Sequence, residues 1–348
     1  MNILKEIEKP FMRYIIKDFI KDRFDGKYPF DLKNQPKGYF MSFGEKNPDK
    51  IFYIIWRGNL GAGFFSNFTQ ILAHIKVAET LNMIPVVDFK NFQTFYNEKN
   101  PINGTDNAWE YYFKQVSPYT LDEVYSSKNV FFCDGEPPCR DIWGYIADDK
   151  KEYQNFYENH IKLHENVEKE LEKYSYIFDE RVLGVHFRGK ELNFAALHPY
   201  GPTIKQMFDG TDELLEKYNI SRILMVTEEK DYLDLFIKRY GKKVFYTDSF
   251  CVSKVNAYNL NPRENHRYLL GFEVLRDATL LAKCNGLIFS NSSVSIHSAR
   301  LGNHEFSYYI ENGYNFKNPY LARYSYSIKK LLPSKFGGLK NEILHNLY

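Results

Sequence analysis

A chain of 348 residues can bury a sizeable core and is long enough for two domains. Hydrophobic residues at 44% and charged residues at 26% are ordinary globular values, and 46 Lys and Arg against 44 Asp and Glu leave a net charge of +2. That balance, with both signs interleaved along the chain, speaks against disorder over most of its length and against a nucleic-acid partner.

Cysteines stand at positions 133, 139, 251 and 284, with neither C-x-x-C spacing nor a His/Cys pair beside them. A zinc site or a disulfide framework is therefore not expected, and a reducing, cytoplasmic setting is. The N-terminus shows no long apolar run, so neither a signal peptide nor a transmembrane anchor is expected. The aromatic share is high, with 28 Tyr and 29 Phe, which suits sugar faces and cores alike.

In chain order, residues 1 to 24 place Ile3, Leu4, Ile7, Phe11, Ile15, Ile16, Phe19 and Ile20 at helical spacing, interrupted at Pro10. This face suits docking on the domain or a weak peripheral contact with a membrane. Residues 25 to 50, carrying Pro29, Pro36, Gly38, Gly44 and Pro48, read as a connector. Residues 51 to 88 then spell strand, glycine-bearing loop, helix from 66 to 82 and strand. The loop lacks the Lys-Ser/Thr of a P-loop and the spacing of a dinucleotide fingerprint. Gly61 and Gly63 in it mark places where a ligand or a second domain can approach the backbone. Residues 89 to 150 are irregular and aromatic, with one strand at 130 to 134, and suit an acceptor-recognition surface. A charged helix over 148 to 174 follows as a bridge.

Residues 181 to 199, RVLGVHFRGKELNFAALHP, are the pivot: a buried strand delivers His186, Arg188, Lys190 and Glu191 to one edge. Beyond it, strands at 222 to 227, 243 to 248 and 286 to 290 alternate with helices at 203 to 218, 230 to 240 and 265 to 284, which describes a parallel, Rossmann-like sheet. The strand ends carry Thr227-Glu228, Thr247-Asp248 and Ser290-Asn291-Ser292-Ser293, all converging with Arg188. A guanidinium there suits a phosphate, since its planar fork matches the anion, although a pair with a neighbouring carboxylate is equally open. The run NSSVS places Ser292 and Ser293 where a strand turns into a helix, as an anion site or a plain N-cap. Asp277 lies in or beside an apolar helix and is open to pairing with Arg276.

The pieces GVHFRG, AALHP, ILMVTEEKDYLDLFIKRYG and LRDATLLAKCNGLIFSNSS, with the glycine loop and FFSNFTQILAHIKVAETL in the first half, resemble the GDP-fucose fucosyltransferases. The likeness is to the α-1,6 enzymes of nodulation and N-glycan core type, and more distantly to α-1,2 and protein O-fucosyltransferases. It implies an α/β fold of GT-B type, two Rossmann-like domains facing across a cleft with a GDP-sugar held by the second. By motif position, His186 and Asp277 would lie near the guanosine, Arg188 would hold the β-phosphate, and Ser292 or Ser293 would meet the diphosphate. Many members carry Arg-Arg where this chain has Arg188-Gly189, and Phe194 stands where an α-1,6 enzyme has a carboxylate, so the resemblance leaves linkage and sugar open.

The expected organisation is an N-terminal helix and connector over 1 to 50, an acceptor-side domain over 51 to 178, a donor domain over 179 to 310, and a tail over 311 to 348 docking back on the first domain. The expected activity is inverting transfer of fucose or a related deoxy sugar from a GDP-sugar to a hydroxyl of a glycan or surface polysaccharide. The alternatives are a catalytically silent GDP-sugar or glycan binder and, less well supported without G-x-G-x-x-G, an oxidoreductase. No D-x-D stands in the chain, so neither metal nor cofactor is expected, the GDP-sugar being a substrate. Glu191 is the only carboxylate between Glu180 and Asp209 and is by elimination the candidate base, with Asp88 and His74 next.

Overall fold

The computed structural model of the protein describes residues 38 to 58, 60 to 133, 142 to 188, 193 to 252 and 257 to 342. The expected helix over 1 to 24, Cys139, Gly189, Lys190 and Glu191 lie outside them. The chain divides into two compact units between His164 and Glu165.

Unit 1 holds a four-stranded sheet in the order β1 (Gly38–Met41), β4 (Val130–Cys133), β2 (Phe52–Ile55), β3 (Ile84–Val87). β2 runs parallel to both β3 and β4, and β1 is antiparallel to β4. The crossover from β2 to β3 is α1 (Phe64–Thr80), whose Phe65, Phe68, Ile71, Leu72, Ile75 and Val77 are all buried. Short helices α2 (Leu121–Val124) and α3 (Ile142–Ile146) precede α4 (Lys150–His160). A continuous helix over 148 to 174 is not found. Ile161 takes extended backbone angles, and Leu163 and Lys162 pair with Phe113 and Lys114, so a tertiary strand-like contact ends α4. α5 (Glu165–Glu172) then opens unit 2.

Unit 2 is a five-stranded, all-parallel sheet in the order β7 (Val244–Phe245), β6 (Arg222–Val226), β5 (Val182–His186), β8 (Gly286–Ser290), β9 (Phe306–Ile310). The helices between are α6 (Ile204–Lys217), α7 (Lys230–Tyr240), α8 (His266–Ala282) and α9 (Ser293–Leu301), with α10 (Pro319–Leu331) after the last strand. Sequential order 3-2-1-4-5 is the doubly wound pattern, in which the strand order reverses between β5 and β8. Both are buried at every residue, as sheets covered on two faces demand.

The two faces follow the period of the strand. Leu183, Val185 and Phe187 join Ile223, Met225 and Ile288 under α6 and α7, while Val182 joins Leu224, Leu287 and Phe289 beneath Leu280 and Leu281 of α8. His186 and Arg188 share the parity of Val182 and so leave β5 on the α8 face. Gly184 makes this close packing possible, because a Cβ there would stand 3.0 Å from Leu281 Cδ2 and 3.1 Å from Cys284 Sγ. Phe187 anchors the other face, stacked on Tyr232 with ring centroids 3.7 Å apart.

Candidate functional site

In an open α/β sheet, loops diverge at the point of order reversal and leave a crevice at the carboxyl ends of the strands. Here that point lies between the ends of β5 and β8, so Arg188 and Ser292 flank it. The β5 end is set by the ladder, since Phe187 N–H donates to Val226 C=O at 2.9 Å and holds the chain extended one residue past the strand.

Among the described residues, two nitrogens at this end are enclosed without a hydrogen-bond partner: Nδ1 of His186 and Nε of Arg188. His186 is 4% exposed, and burial, helped by the Arg188 charge, lowers its pKa to about 3. The imidazole is therefore neutral at physiological pH. Burial and Arg188 also lower the pKa of His198. Arg188 meets Glu228, at the end of the neighbouring β6, through an Nη1–Oε1 contact of 3.2 Å. Most of Glu228 faces solvent, at 53% exposure, so this carboxylate can leave the guanidinium with little cost.

Across the crevice, Ser292 is the N-cap of α9 and makes no side-chain capping bond. It is buried, and its extended backbone turns the chain from β8 into the helix. Ser295 fastens that turn by donating its hydroxyl to Ser290 C=O at 2.7 Å. The helix N-terminus thus presents N–H groups and the positive end of its dipole beside Ser292 and Ser293.

Asp277 sits differently. It is buried on α8, and both its oxygens are occupied: Thr247 Oγ1 donates to Oδ1 at 2.8 Å and Ser249 Oγ to Oδ2 at 2.7 Å. Arg276 Nε adds a longer contact at 3.3 Å, and the same guanidinium reaches Asp248, Ser249 and Tyr174. Burial raises the pKa of Asp277 while Arg276 and the two hydroxyls oppose it. Asp277 therefore ties the loop after β7 to α8. Glu273 does the same one turn earlier, accepting Phe250 N–H at 3.1 Å and a two-pronged contact from Arg263. Between them, Cys251 donates its thiol to Thr227 C=O, and burial followed by the Asp277 charge pushes its pKa up to about 11, so it is not a poised nucleophile.

Sequence reasoning placed Thr227-Glu228 and Thr247-Asp248 at this edge and assigned them no role. The Glu228 contact with Arg188 and the Thr247 and Ser249 contacts with Asp277 arise because β6 and β7 lie side by side next to β5, an order that no local signal carries.

Gly61 and Gly63 belong to unit 1. Gly61 has φ +72°, and Asn67 clamps the loop, accepting Ala62 N–H at 2.8 Å and donating to Ala62 C=O at 3.0 Å. Around Gly63, the residue before α1, a Cβ would meet nothing within 4 Å. Asp88 and His74 are both fully buried there. Asp88 accepts from the N–H groups of Lys90 and Asn91, from the Asn91 amide and from the Tyr125 hydroxyl, and His74 shares a hydrogen bond with Tyr53. Both stand in the core of unit 1, closed off from solvent. A cavity of about 20 Å³ among Phe64, Phe68, Tyr96, Trp109 and Phe113 is also in unit 1 and has room for one water molecule. Among the described residues no group of His, Cys, Asp and Glu is arranged to hold a metal ion.

No family model and no curated protein matches the chain. Among solved structures it is similar to fucosyltransferase NodZ from Bradyrhizobium, at 15% identity over 73% of this chain and 93% of that one, with a TM-score of 0.47. The same values hold for NodZ α-1,6-fucosyltransferase soaked with GDP-fucose. It is similar also to POFUT1 in complex with GDP-fucose, at 10% identity over 76% and 75% of the two chains, with a TM-score of 0.33. Similarities of this size carry neither a residue role nor an activity across to this chain.

Proposed function

We propose that the carboxyl edge of the unit 2 sheet binds the diphosphate of a GDP-sugar, and that the protein is an inverting glycosyltransferase moving fucose or a related deoxy sugar to a hydroxyl of a glycan or surface polysaccharide. The observation that carries this reading is the enclosed Nε of Arg188, without a partner among the described residues, beside neutral His186 at the end of β5, with an α9 N-terminus lacking a side-chain cap at the end of the neighbouring β8, where the strand order reverses. Buried donors without partners are rare in folded proteins and favour an absent ligand. A guanidinium and helix N–H groups together favour an anion, and the spread across two strand ends favours a diphosphate over a single carboxylate. The guanosine and the deoxy sugar rest on the resemblance of the sequence pieces.

In such a transfer the acceptor oxygen bonds to the anomeric carbon as the bond from that carbon to the diphosphate oxygen breaks, and the acceptor proton passes to a base. Arg188 and the N–H groups at Ser292 and Ser293 would take up the charge growing on the leaving diphosphate, a role that helps the transition state more than the ground state. Arrival of the diphosphate would displace Glu228 from Arg188. Asp277, by holding Thr247 and Ser249, would shape the wall beside the guanosine, and Glu191 would accept the proton. Incubation with a panel of GDP-sugars, following release of GDP, tests the reading. GDP-fucose or a related deoxy sugar is expected to release GDP fastest, and an absence of both binding and turnover across the panel would sink it.

A further inference from the structure

α10 sits on unit 2 by a narrow side. Ala322 and Ser325 are buried, with Ser325 Oγ accepting from the Tyr200 hydroxyl at 2.9 Å, and the Tyr326 ring stacks on that of Tyr200. Asn318 caps the start by accepting Tyr320 N–H at 2.9 Å, and Pro319 follows it. At about 100° per residue, Tyr320, Tyr324, Ile328 and Leu331 fall on one stripe with Leu321 beside it. Their exposures are 83%, 63%, 58%, 75% and 55%. A helix at home in water buries such a stripe and exposes its small and polar residues. This one does the reverse.

The charge around the stripe is one-sided. Between Glu311 and Glu342 there is no acidic residue, while Lys317, Arg323, Lys329, Lys330, Lys335 and Lys340 are all basic, and all except Lys329 are exposed. The chain as a whole is nearly neutral, so this run is a local departure. Phe336, 67% exposed, continues the apolar surface past the helix. Aromatic and aliphatic side chains rimmed by cations match the boundary of a bilayer that carries anionic headgroups. A second copy of the chain fits less well, since stripe against stripe would bring the two sets of cations together. No helix among the described residues is long and apolar enough to cross a membrane, which leaves a contact at the surface.

We propose that α10 and the turn after it dock the protein onto an anionic lipid surface. The inference goes beyond the glycosyltransferase reading and does not depend on it. Flotation of the full chain with vesicles tests it, using phosphatidylcholine alone and phosphatidylcholine mixed with phosphatidylglycerol. The protein is expected to float with the mixed vesicles, to stay behind with the neutral ones, and to be released as salt rises to about 0.5 M. Two variants dissect the contact, Tyr324→Ser with Ile328→Ser and Leu331→Ser, and Arg323→Glu with Lys330→Glu. The second is expected to weaken binding roughly thirtyfold or more, from the loss of two surface cations, and the first by at least a comparable factor. All five side chains are exposed, so melting temperatures should stay close to that of the parent. Equal flotation with both kinds of vesicle, or flotation that both variants retain, would overturn the proposal. So would a self-associated species in sedimentation that the apolar variant dissolves while lipid binding is absent.

Discussion

A polar nitrogen taken out of water raises the free energy of the fold unless something bonds to it, and among the described residues Nδ1 of His186 and Nε of Arg188 both stand without such a partner. Their position two residues apart, on one face at the end of β5, makes a ligand the economical explanation. Glu228 is then a competitor for Arg188, and its removal has a sign that a purely structural pair would not share. Glu228→Gln is expected to tighten GDP a few-fold at low salt, because an exposed pair is worth roughly 0 to 1 kcal/mol and the diphosphate no longer has to displace it. Calorimetry checks this, and weakened binding would instead make Glu228 a supporting residue. Glu191, outside the described residues, keeps its role as expected base by elimination alone. Glu191→Gln should lower turnover by roughly a hundredfold to ten-thousandfold with GDP affinity nearly unchanged, and near-parental turnover in steady-state assays would move the base elsewhere. Of the residues singled out from sequence, the placement of Arg188, His186, Ser292 and Ser293 at the strand ends was legible because a buried strand ending in polar residues announces an edge. The saturated state of Asp277 was not, since Thr247 and Ser249 reach it only through the strand order.

At the level of elements, the buried runs at β5, β6 and β8 and the apolar face of α1 were readable because burial on both faces or on one stripe leaves a period in the sequence. Of the four edge strands, β3 and β7 were read from their apolar runs, while β1 and β9 were not. β9 shows exposed Ser307, Tyr308 and Tyr309 in succession, and β1 is half-buried throughout and lies between prolines at 36 and 48. Neither β1 nor β9 carries an apolar run or an alternation to betray it, and each exists by pairing with a neighbour far along the chain or beyond a helix. The break between α4 and α5 has the same origin, in pairing with Phe113 and Lys114. The packing of β5 against α8 at Gly184 yields a test of its own. Gly184→Val places methyl groups against Leu281 and Cys284, and overpacking of this kind typically costs about 1 to 3 kcal/mol. A clear fall in melting temperature is expected, and an unchanged one would mean that β5 and α8 are not held at this separation.

For the molecule as a whole, two buried histidines shape stability in acid. Burial holds His186 and His297 near pKa 3, below the 6.5 of an exposed imidazole. The unfolded chain therefore binds more protons between those values, so their contribution is complete above pH 6.5 and is lost as pH falls towards 3. At pH 5 each histidine is expected to have given up about 2 kcal/mol, and His186→Gln should flatten the dependence of the urea midpoint on pH between 7 and 5. A slope that does not change would place His186 in water in the folded state. Activity, in the glycosyltransferase reading, should survive a chelator, since Arg188 and the α9 N-terminus take the place of a cation, and loss in EDTA with recovery on adding manganese would expose a metal site that the sequence did not announce. The central claim is tested most directly by titrating GDP into the parent protein and into Arg188→Ala by calorimetry. Binding to the parent, weakened roughly tenfold to a hundredfold in the variant as a charge-assisted bond worth about 1.5 to 3 kcal/mol is lost, is the expected result. No binding to the parent, or equal affinity in the two proteins, would contradict it.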